Sequence, residues 1–173
     1  MTDAARSRVF SRYARLIAME SKKANGIVGA HGLAAAIARA KAVNMPKDNI
    51  ERAITKGASK DSGNLEQVIY EAYGPAGIAI IVDALTDNKN RTTPEIKHLF
   101  SKMNFEVAAP GAASWAFTKV GNTYVPNEPL TEISGDDEEK LSAILDALDE
   151  HEDVQQVFTN ARGYESTNDE NSD

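Results

Sequence analysis

Three arginines close to the N-terminus have the side-chain chemistry and the spacing of a phosphate-binding surface. Arg8, Arg12 and Arg15 are four and three residues apart, which places them on one side of a helix. A guanidinium group presents its N–H donors in a planar fork that matches phosphate oxygens, so three of them on one face suit a polyanion. A solvated helix face is the alternative, and the spacing alone leaves both open.

Further cations occur in the same part of the chain, and together they predict a nucleic-acid partner. Residues 1–60 contain 12 Lys and Arg against 4 Asp and Glu, a net charge of +8, whereas residues 61–173 have a net charge of -15. A basic segment of this kind is the electrostatic footprint of DNA or RNA binding, while the acidic remainder repels phosphate. The candidate nucleic-acid-binding residues are Arg8, Arg12, Arg15, Lys22, Lys23, Lys47, Arg52 and Lys56. For Asp48, Arg52 and Lys56, a local row of i, i+4 ion pairs is an equal alternative.

A polar segment after the most apolar stretch is the second candidate site. Thr86–Thr92 follows the run Ile78–Leu85 and combines amide side chains with two cations. Amides both donate and accept hydrogen bonds, so we hypothesise a partner-facing loop. Its candidate residues are Asn88, Lys89, Asn90 and Arg91. A turn followed by a helix cap is the alternative, since Asn and Asp favour such positions.

The residue types needed for catalysis or for holding a metal are missing or scattered. The chain has no cysteine, which excludes disulfides, a thiol nucleophile and cysteine-based metal sites. His31, His98 and His151 have no partner at metal-ligand spacing, and each is expected to be a surface or hydrogen-bonded histidine. The sequence contains no nucleophile elbow, Walker loop or HExxH motif. It therefore predicts a non-enzymatic protein with no metal and no cofactor.

The hydropathy pattern predicts a cytoplasmic protein that does not enter a membrane. The longest apolar run, Ile78–Val82, is far too short to cross a bilayer. Arginines interrupt the first residues, so a secretory signal peptide is not expected. The same Arg- and Ser-rich start resembles a mitochondrial presequence, which leaves the mitochondrial matrix as an alternative.

The basic candidates belong to a predicted three-helix bundle over residues 1–57. A first helix over 3–20 has an apolar stripe of Val9, Tyr13 and Leu16, and a second covers 32–43. Pro46 suits the first position of a third helix, which we expect to end at Gly57 as a left-handed residue. Residues 22–31 are predicted to be a loop, and residues 58–64 a linker.

The remaining elements predict an α+β fold, in which residues 65–161 form a ferredoxin-like sandwich with two helices on one face of a mainly antiparallel sheet. Thr93 and Pro94 are expected to begin the first of these helices, and Ser134 the second. The predicted strands are Val68–Tyr73, Ile78–Leu85, Ala113–Thr118, Thr123–Val125 and Val154–Thr159. Residues 162–173 are predicted to be an acidic disordered tail.

The strand that begins at Ile78 is apolar at both parities, which predicts that it is covered on both faces. One helical layer covers only one face of a sheet. We therefore expect a second body on the other face and assign it to the N-terminal bundle.

Four segments resemble the YebC/PmpR family, which includes the mitochondrial translational activator of cytochrome oxidase subunit one. The segments are Asn44–Gly57, Tyr70–Thr92, Ala113–Phe117 and Leu145–Ala161. The resemblance implies an N-terminal helical bundle, two α/β domains with one inserted in the other, and a non-enzymatic regulator of gene expression. Members are described as DNA-binding transcriptional regulators, and some act in translation on the ribosome.

The chain departs from the family pattern in two places. It starts at Met1-Thr2-Asp3, without the basic GHSKW-type tail, and passes from Phe117 to the last helix within about two dozen residues. We therefore expect a reduced member without the inserted middle domain. The family's motif positions are intact at Pro46, Lys47, Arg52, Asn88, Asn90 and Arg91.

Three functions follow as hypotheses. The first is a DNA-binding transcriptional regulator that contacts phosphates through the basic bundle. The second is a ribosome-associated translation factor that binds ribosomal RNA, although the sequence shows no exposed aromatic platform for stacking bases. The third is a protein–protein adaptor that works through the acidic domain. The oligomeric state stays open.

Overall fold

The computed structural model describes residues 1–167. The chain divides into two compact units, residues 1–66 and the part that starts at Gln67. Each unit is built on its own hydrophobic core. No helix in the described part of the chain combines the length and hydropathy needed to span a membrane.

The first unit is the three-helix bundle that the sequence predicts. Its helices are α1 Asp3–Ala24, α2 His31–Ala42 and α3 Lys47–Ala58. Their apolar stripes meet in one core that includes Val9, Tyr13, Ile17, Leu33 and Ile50. Helix α1 begins at a Thr2 cap, whose side chain accepts a hydrogen bond from the N–H of Ala5, and it ends before Asn25 in the left-handed conformation. Because α1 runs to Ala24, Lys22 and Lys23 lie in its last turn, and the predicted loop over 22–31 starts too early.

Gly57 does not end the third helix in the left-handed conformation that we expected. Helix α3 continues to Ala58, and Gly57 is buried inside it. A Cβ atom at this position would lie 2.2 Å from the carbonyl oxygen of Ala18 on α1. Glycine is therefore required for the close approach of two helix backbones, not for a turn. Pro46 likewise precedes the helix as its cap residue and is not its first residue.

The second unit confirms the α+β prediction. A four-stranded sheet has the order β3-β1-β2-β6, and β1 with β3 and β2 with β6 pair antiparallel. Helices α4 and α5 pack their apolar side chains on one face. The bounds are β1 Glu66–Tyr73, β2 Ala79–Thr86, α4 Lys89–Lys102, β3 Val107–Ala108, β4 Phe117–Val120, β5 Thr123–Pro126, α5 Gly135–Glu150 and β6 Val154–Thr159.

Every residue of β2 is buried, which confirms that both faces of this strand are covered. Ile78, Ile80 and Val82 face the helices, whereas Ala79 and Ile81 pack in a second cluster on the opposite face. That second cluster contains Ala113, Ala116, Phe117 and Phe158, with Tyr124 against it. The β4–β5 hairpin of the same unit thus takes the place that we had assigned to the N-terminal bundle. Apolar residues at both odd and even positions predicted that the second face of β2 is covered, but they did not show which element covers it.

Two predicted elements need correction, and one strand was missed. The strand expected over Ala113–Thr118 begins at Phe117, because Ser114–Ala116 form a 3₁₀ turn; β4 then pairs with β5 as a separate sheet. The short strand β3 was not predicted. Residues 162–167 are not disordered, since Thr167 and Val157 exchange hydrogen bonds and Ser166 bridges Phe158. The rest of the predicted tail lies outside the described residues.

Candidate nucleic-acid interface

The arginines of α1 are less accessible than their spacing suggests. Arg12 is buried, with 7% of its surface exposed, and Arg8 and Arg15 are half-buried. None of the three is a free cation, because each makes polar or electrostatic contacts within the chain. The prediction that α1 presents three guanidinium groups to solvent is therefore wrong for Arg12. A helix pattern shows which side chains share a face but not which neighbours cover that face.

Lys22 and Lys23 are exposed in the last turn of α1, but they differ in their contacts. The ammonium of Lys22 donates to the side chain of Asn64 and lies 3.4 Å from the carbonyl oxygen of Gly63. It thus ties the end of the predicted linker to the helix. Lys23 lies 3.5 Å from Glu20, and its side chain is 63% exposed. Of these two lysines, Lys23 is the more available to an external anion.

Helix α3 holds the remaining three candidate cations. Lys47, Arg52 and Lys56, which we call the α3 basic row, are all exposed. Arg52 and Lys56 are four residues apart and share the outer face of the helix, whereas Lys47, at its first position, lies on another side. Arg52 donates to the carbonyl oxygen of Asp48 at 3.3 Å and to the side chain of Asn49, so the expected Asp48–Arg52 ion pair is replaced by a contact with the main chain. Lys47 lies 3.7 Å from Glu51 in an exposed pair of the kind that contributes little to stability.

A shallow depression runs along this face of α3. It is lined by Asp48, Glu51, Arg52, Thr55 and Lys56. These positions follow helical spacing, so one helix supplies the whole surface. Because the α3 basic row is exposed and only lightly restrained, its cations are free to reorient toward phosphate oxygens.

The segment expected to be a partner-facing loop is instead the start of a helix. Asn88 caps α4, and Lys89, Asn90 and Arg91 form its first turn. Lys89 and Asn90 are exposed. Thr93 and Pro94, which we expected to begin the helix, lie inside it, and Pro94 comes early enough in α4 for its missing N–H to cost little. The sequence left a helix cap open as the alternative, and the cap is what forms.

Arg91 is engaged in compensating a buried charge. Its guanidinium donates to the carboxylate of Asp153 at 2.9 Å, and that side chain has no exposed surface. Thr92 donates a second hydrogen bond to the same oxygen at 2.7 Å. Burial lowers the pKa of Arg91, but its contacts with the carboxylates of Asp153, Glu95 and Asp87 together outweigh burial, and the net shift of the pKa is upward. We therefore assign Arg91 to the internal structure of the second unit.

His151 is hydrogen-bonded at both ring nitrogens, which agrees with the prediction of a surface or hydrogen-bonded histidine. Its Nδ1 accepts from the main-chain N–H of Asp153 at 3.2 Å, so a neutral ring has its proton on Nε2 and donates to Glu95 at 2.7 Å. The atoms with which Glu95, His151 and Asp153 could bind a metal ion all lie within 4.8 Å of one another. The spacing of these residues in the sequence did not reveal this grouping. Arg91 contacts both carboxylates and supplies the positive charge there. Hydrogen bonds and ion pairs thus join Arg91, Glu95, His151 and Asp153 in one network.

Trp115 is an exposed aromatic side chain that was not among the residues predicted from the sequence. It is 69% exposed, and its indole Nε1 donates to the hydroxyl of Tyr73 at 2.6 Å. The Tyr73 hydroxyl in turn donates to the carbonyl oxygen of Ala112. The sequence placed Trp115 within a predicted strand over Ala113–Thr118, whereas it lies in the 3₁₀ turn at 114–116.

A buried carboxylate fixes the loop that carries this tryptophan. Glu71 is 7% exposed and accepts main-chain hydrogen bonds from Gly111, Ala113 and Ser114 at 2.5, 3.0 and 2.6 Å. Burial by itself raises the pKa of the Glu71 carboxyl, but these N–H donors outweigh it and hold the pKa below its ordinary value. Glu71 is therefore charged at neutral pH and anchors the 109–116 loop to β1.

The fold and the surface define a class: an α+β protein with a basic helical unit, an acidic second unit, and no assembled catalytic constellation in its described part. The family model "TACO1/YebC protein N-terminal domain" matches residues 1–60, and "TACO1/YebC second and third domain" matches 65–132 and 121–161. The chain belongs to the TACO1/YebC family, which confirms the resemblance drawn from its motifs.

Individual relatives agree with this assignment. A "Probable transcriptional regulatory protein" of Lachnospira eligens is 39% identical over 96% of this chain and 68% of its own length. One from Thermoanaerobacter pseudethanolicus is 44% identical over 84% of this chain, which spans 58% of that relative. The crystal structure of a conserved hypothetical protein from Aquifex aeolicus is similar to this one, with a TM-score of 0.81 and 29% sequence identity. The match covers 93% of this chain and 92% of the Aquifex aeolicus chain.

Proposed function

We propose that this protein is a non-enzymatic, nucleic-acid-binding regulator of gene expression that acts in the cytoplasm. The curated relatives are named probable transcriptional regulatory proteins, which supports a regulatory role. The chain spans only part of the length of these relatives, so their activity is carried over as a hypothesis. The described part of the chain offers no nucleophile with an activating base, which favours binding over catalysis.

The observation that carries this proposal is the exposed α3 basic row within a segment of net charge +8. A group of exposed cations on one short helix suits a polyanion. Lys23 extends the candidate contact set at the end of α1. Arg12 drops out of the candidate nucleic-acid-binding residues because it is buried. Arg91, a candidate of the partner-facing loop, is not proposed as a contact because its guanidinium pairs with the buried Asp153. Duplex DNA is the first target that we propose, through contacts to phosphate.

The test is the salt dependence of duplex binding by a variant that lacks the α3 basic row. Lys47→Gln, Arg52→Gln and Lys56→Gln are combined, and affinity for a duplex is measured by filter binding between low and moderate salt. If each cation contacts one phosphate, the slope of log K against log salt becomes less steep by about 0.9 for each residue removed, and by up to about 2.7 for all three. Affinity at low salt falls with it.

A matched control separates this surface from total charge. Lys97, Lys102 and Lys140 are exposed lysines of the second unit, and their combined change to Gln removes the same charge elsewhere. This control is expected to keep most of the slope. Affinity that does not change with salt, or an equal loss in both triple variants, contradicts the proposal.

Ribosomal RNA is the second candidate target, and the exposed Trp115 favours it. Proteins recognise RNA largely through unstacked bases that they stack on aromatic side chains. Co-sedimentation with ribosomes at graded salt, without duplex binding in the filter assay, would select translation over transcription. Duplex binding without co-sedimentation would select the first target.

A further inference from the structure

Trp115 stands out because its exposed ring is held in place. The indole has one polar atom, Nε1, and the Tyr73 hydroxyl already accepts its hydrogen bond. The flat apolar surface of the ring is therefore what remains for a ligand, and 69% of the residue's surface is exposed. Burial of this ring would remove a large apolar area from water, so an exposed and oriented tryptophan marks a contact site.

The loop beneath the ring is also fixed. The three N–H donors that bind Glu71 come from residues 111, 113 and 114, directly before Trp115. On the other side, the Asn127 amide donates to the carbonyl oxygen of Trp115 at 3.3 Å, and Asn127 also accepts from the Thr118 hydroxyl. A ligand that stacks on this ring loses little freedom of the protein, because the ring is already ordered.

The segment that carries Trp115 suits a polyanion, although the second unit is acidic. Between Glu106 and Glu128 the sequence contains no Asp or Glu, and its one charged residue is Lys119. The Glu71 carboxylate that binds this segment is buried and bonded to main-chain donors. A protein segment would suit the exposed Val120 and Val125 of the β4–β5 hairpin, but it has no need of a stretch without acidic residues.

We propose that Trp115 is a stacking platform for an unpaired base of single-stranded nucleic acid, held in position by Tyr73 and Glu71. This inference rests on the nucleic-acid binding proposed above and adds the form of the ligand. Duplex phosphates bind the α3 basic row, whereas a splayed base needs an accessible aromatic surface. Every base has a flat π surface, so such a platform is tolerant of sequence.

The test uses the indole itself as the reporter, because Trp115 is the only tryptophan of the chain. The full chain is titrated with a short single-stranded RNA, and with a duplex of the same length, at one salt concentration. Tryptophan emission and the anisotropy of a labelled oligonucleotide are followed together. The expected result is quenching by the single strand, in step with binding, and little quenching by the duplex.

Variants of Trp115 separate stacking from general apolar contact. Trp115→Leu keeps an apolar side chain without a π surface, and it is expected to weaken single-strand binding about 5- to 150-fold. Trp115→Phe is expected to restore most of the affinity. Val125→Thr, the matched control on the exposed hairpin, is expected to bind as the unmodified chain does. Duplex affinity should be the same in all of them, and melting curves show whether each variant is folded.

Tyr73→Phe tests the positioning of the ring. It removes the acceptor of the indole N–H, so we expect weaker single-strand binding and lower steady-state anisotropy of the tryptophan emission. A purely structural role of Tyr73 would lower the melting temperature but leave the mobility of the indole unchanged.

Several outcomes overturn the inference. If the chain binds single strands with unchanged emission and Trp115→Leu binds as well as the unmodified chain, the platform is wrong while the proposed function stands. A loss in Val125→Thr as large as that in Trp115→Leu would indicate a general apolar surface. If neither nucleic acid binds, the inference and the proposed function both fail.

Discussion

Glu71 shows how a single residue couples stability to the candidate binding surface. A carboxylate that accepts three main-chain hydrogen bonds in a nearly water-free position is stabilised in its charged form. The same bonds hold the loop that presents Trp115. A glutamate within a strand gives no sign of this role in the sequence, because its partners lie about 40 residues further along the chain.

We predict that Glu71→Gln lowers the free energy of unfolding by about 1–3 kcal/mol at neutral pH. The neutral amide has one acceptor oxygen in place of two, and its NH₂ group faces main-chain N–H groups that are also donors. Because the pKa of Glu71 is lowered in the folded protein, its contribution is present above the ordinary carboxyl pKa and is lost as the pH falls through the folded value. The variant should therefore lose less stability on acidification than the unmodified chain does.

Urea denaturation between neutral and acidic pH measures both effects. Glu66→Gln is the matched control, since Glu66 lies on the same strand and is exposed. Equal stability of the two variants at neutral pH would show that the Glu71 hydrogen bonds contribute nothing measurable.

At the scale of single residues, the sequence showed which side chains are charged or polar but not which contacts they make. The arginine pattern of α1 located a charged face, but it did not show that Arg12 is buried. Asn88–Arg91 was recognised as polar, yet the buried partner of Arg91 is Asp153, which is 62 residues away. Long-range pairing of this kind is invisible to local spacing, and so is the exposure of Trp115.

Among the elements, the sequence predicted the burial of strand β2 well and the start of helix α4 poorly. The unbroken apolar run Ile78–Val82 required cover on both faces, and the burial of every residue of β2 confirms it. For α4, Thr93-Pro94 imitates the start of a helix, whereas the helix begins at Lys89 and includes the proline. Proline is tolerated in the first turns of a helix, so it marks a region in which a helix can start and not a single position.

The contact between α1 and α3 is the element-scale feature that depends most on one residue. We predict that Gly57→Ala destabilises the bundle by about 1–3 kcal/mol, as overpacking does. Alanine favours a helix by about 1 kcal/mol relative to glycine, so helix propensity alone predicts the opposite sign. The Cβ atom would lie 2.2 Å from the main-chain oxygen of Ala18, and backbone cannot move away as a side chain can.

Thermal unfolding of Gly57→Ala beside Gly29→Ala measures this effect. Gly29 is exposed, and a Cβ atom there meets nothing within 4 Å. The Gly29 variant is expected to melt close to the unmodified chain. A Gly57 variant that melts at or above the unmodified chain would show that α1 and α3 separate without cost.

On the scale of the whole molecule, the segregation of charge is the property that composition predicted most directly. The formal net charge of -7 conceals a basic first unit and an acidic remainder. The two units correspond to these regions, with the division at residues 66 and 67. Charge follows from counting, so it needs no knowledge of tertiary contacts. Which cations are accessible depends on tertiary contacts. The contacts reduce the eight candidate nucleic-acid-binding residues to Lys23 and the α3 basic row.

This segregation predicts that the first unit binds duplex DNA without the second. Residues 1–66 have their own apolar core and a net charge of +6, so a fragment of this length is expected to fold and to keep the contacts to phosphate. Its affinity at low salt should equal or exceed that of the full chain, because the acidic unit no longer repels the polyanion. The difference should shrink as salt screens the repulsion over distances of about 10 Å.

Circular dichroism shows whether the fragment is helical, and filter binding over a range of salt concentrations compares it with the full chain. The fragment with Lys47, Arg52 and Lys56 changed to Gln is the control, and it should lose both affinity and salt slope. A folded fragment that no longer binds duplex would place the phosphate contacts in the acidic unit. That result would contradict the division of labour that the charge distribution indicates.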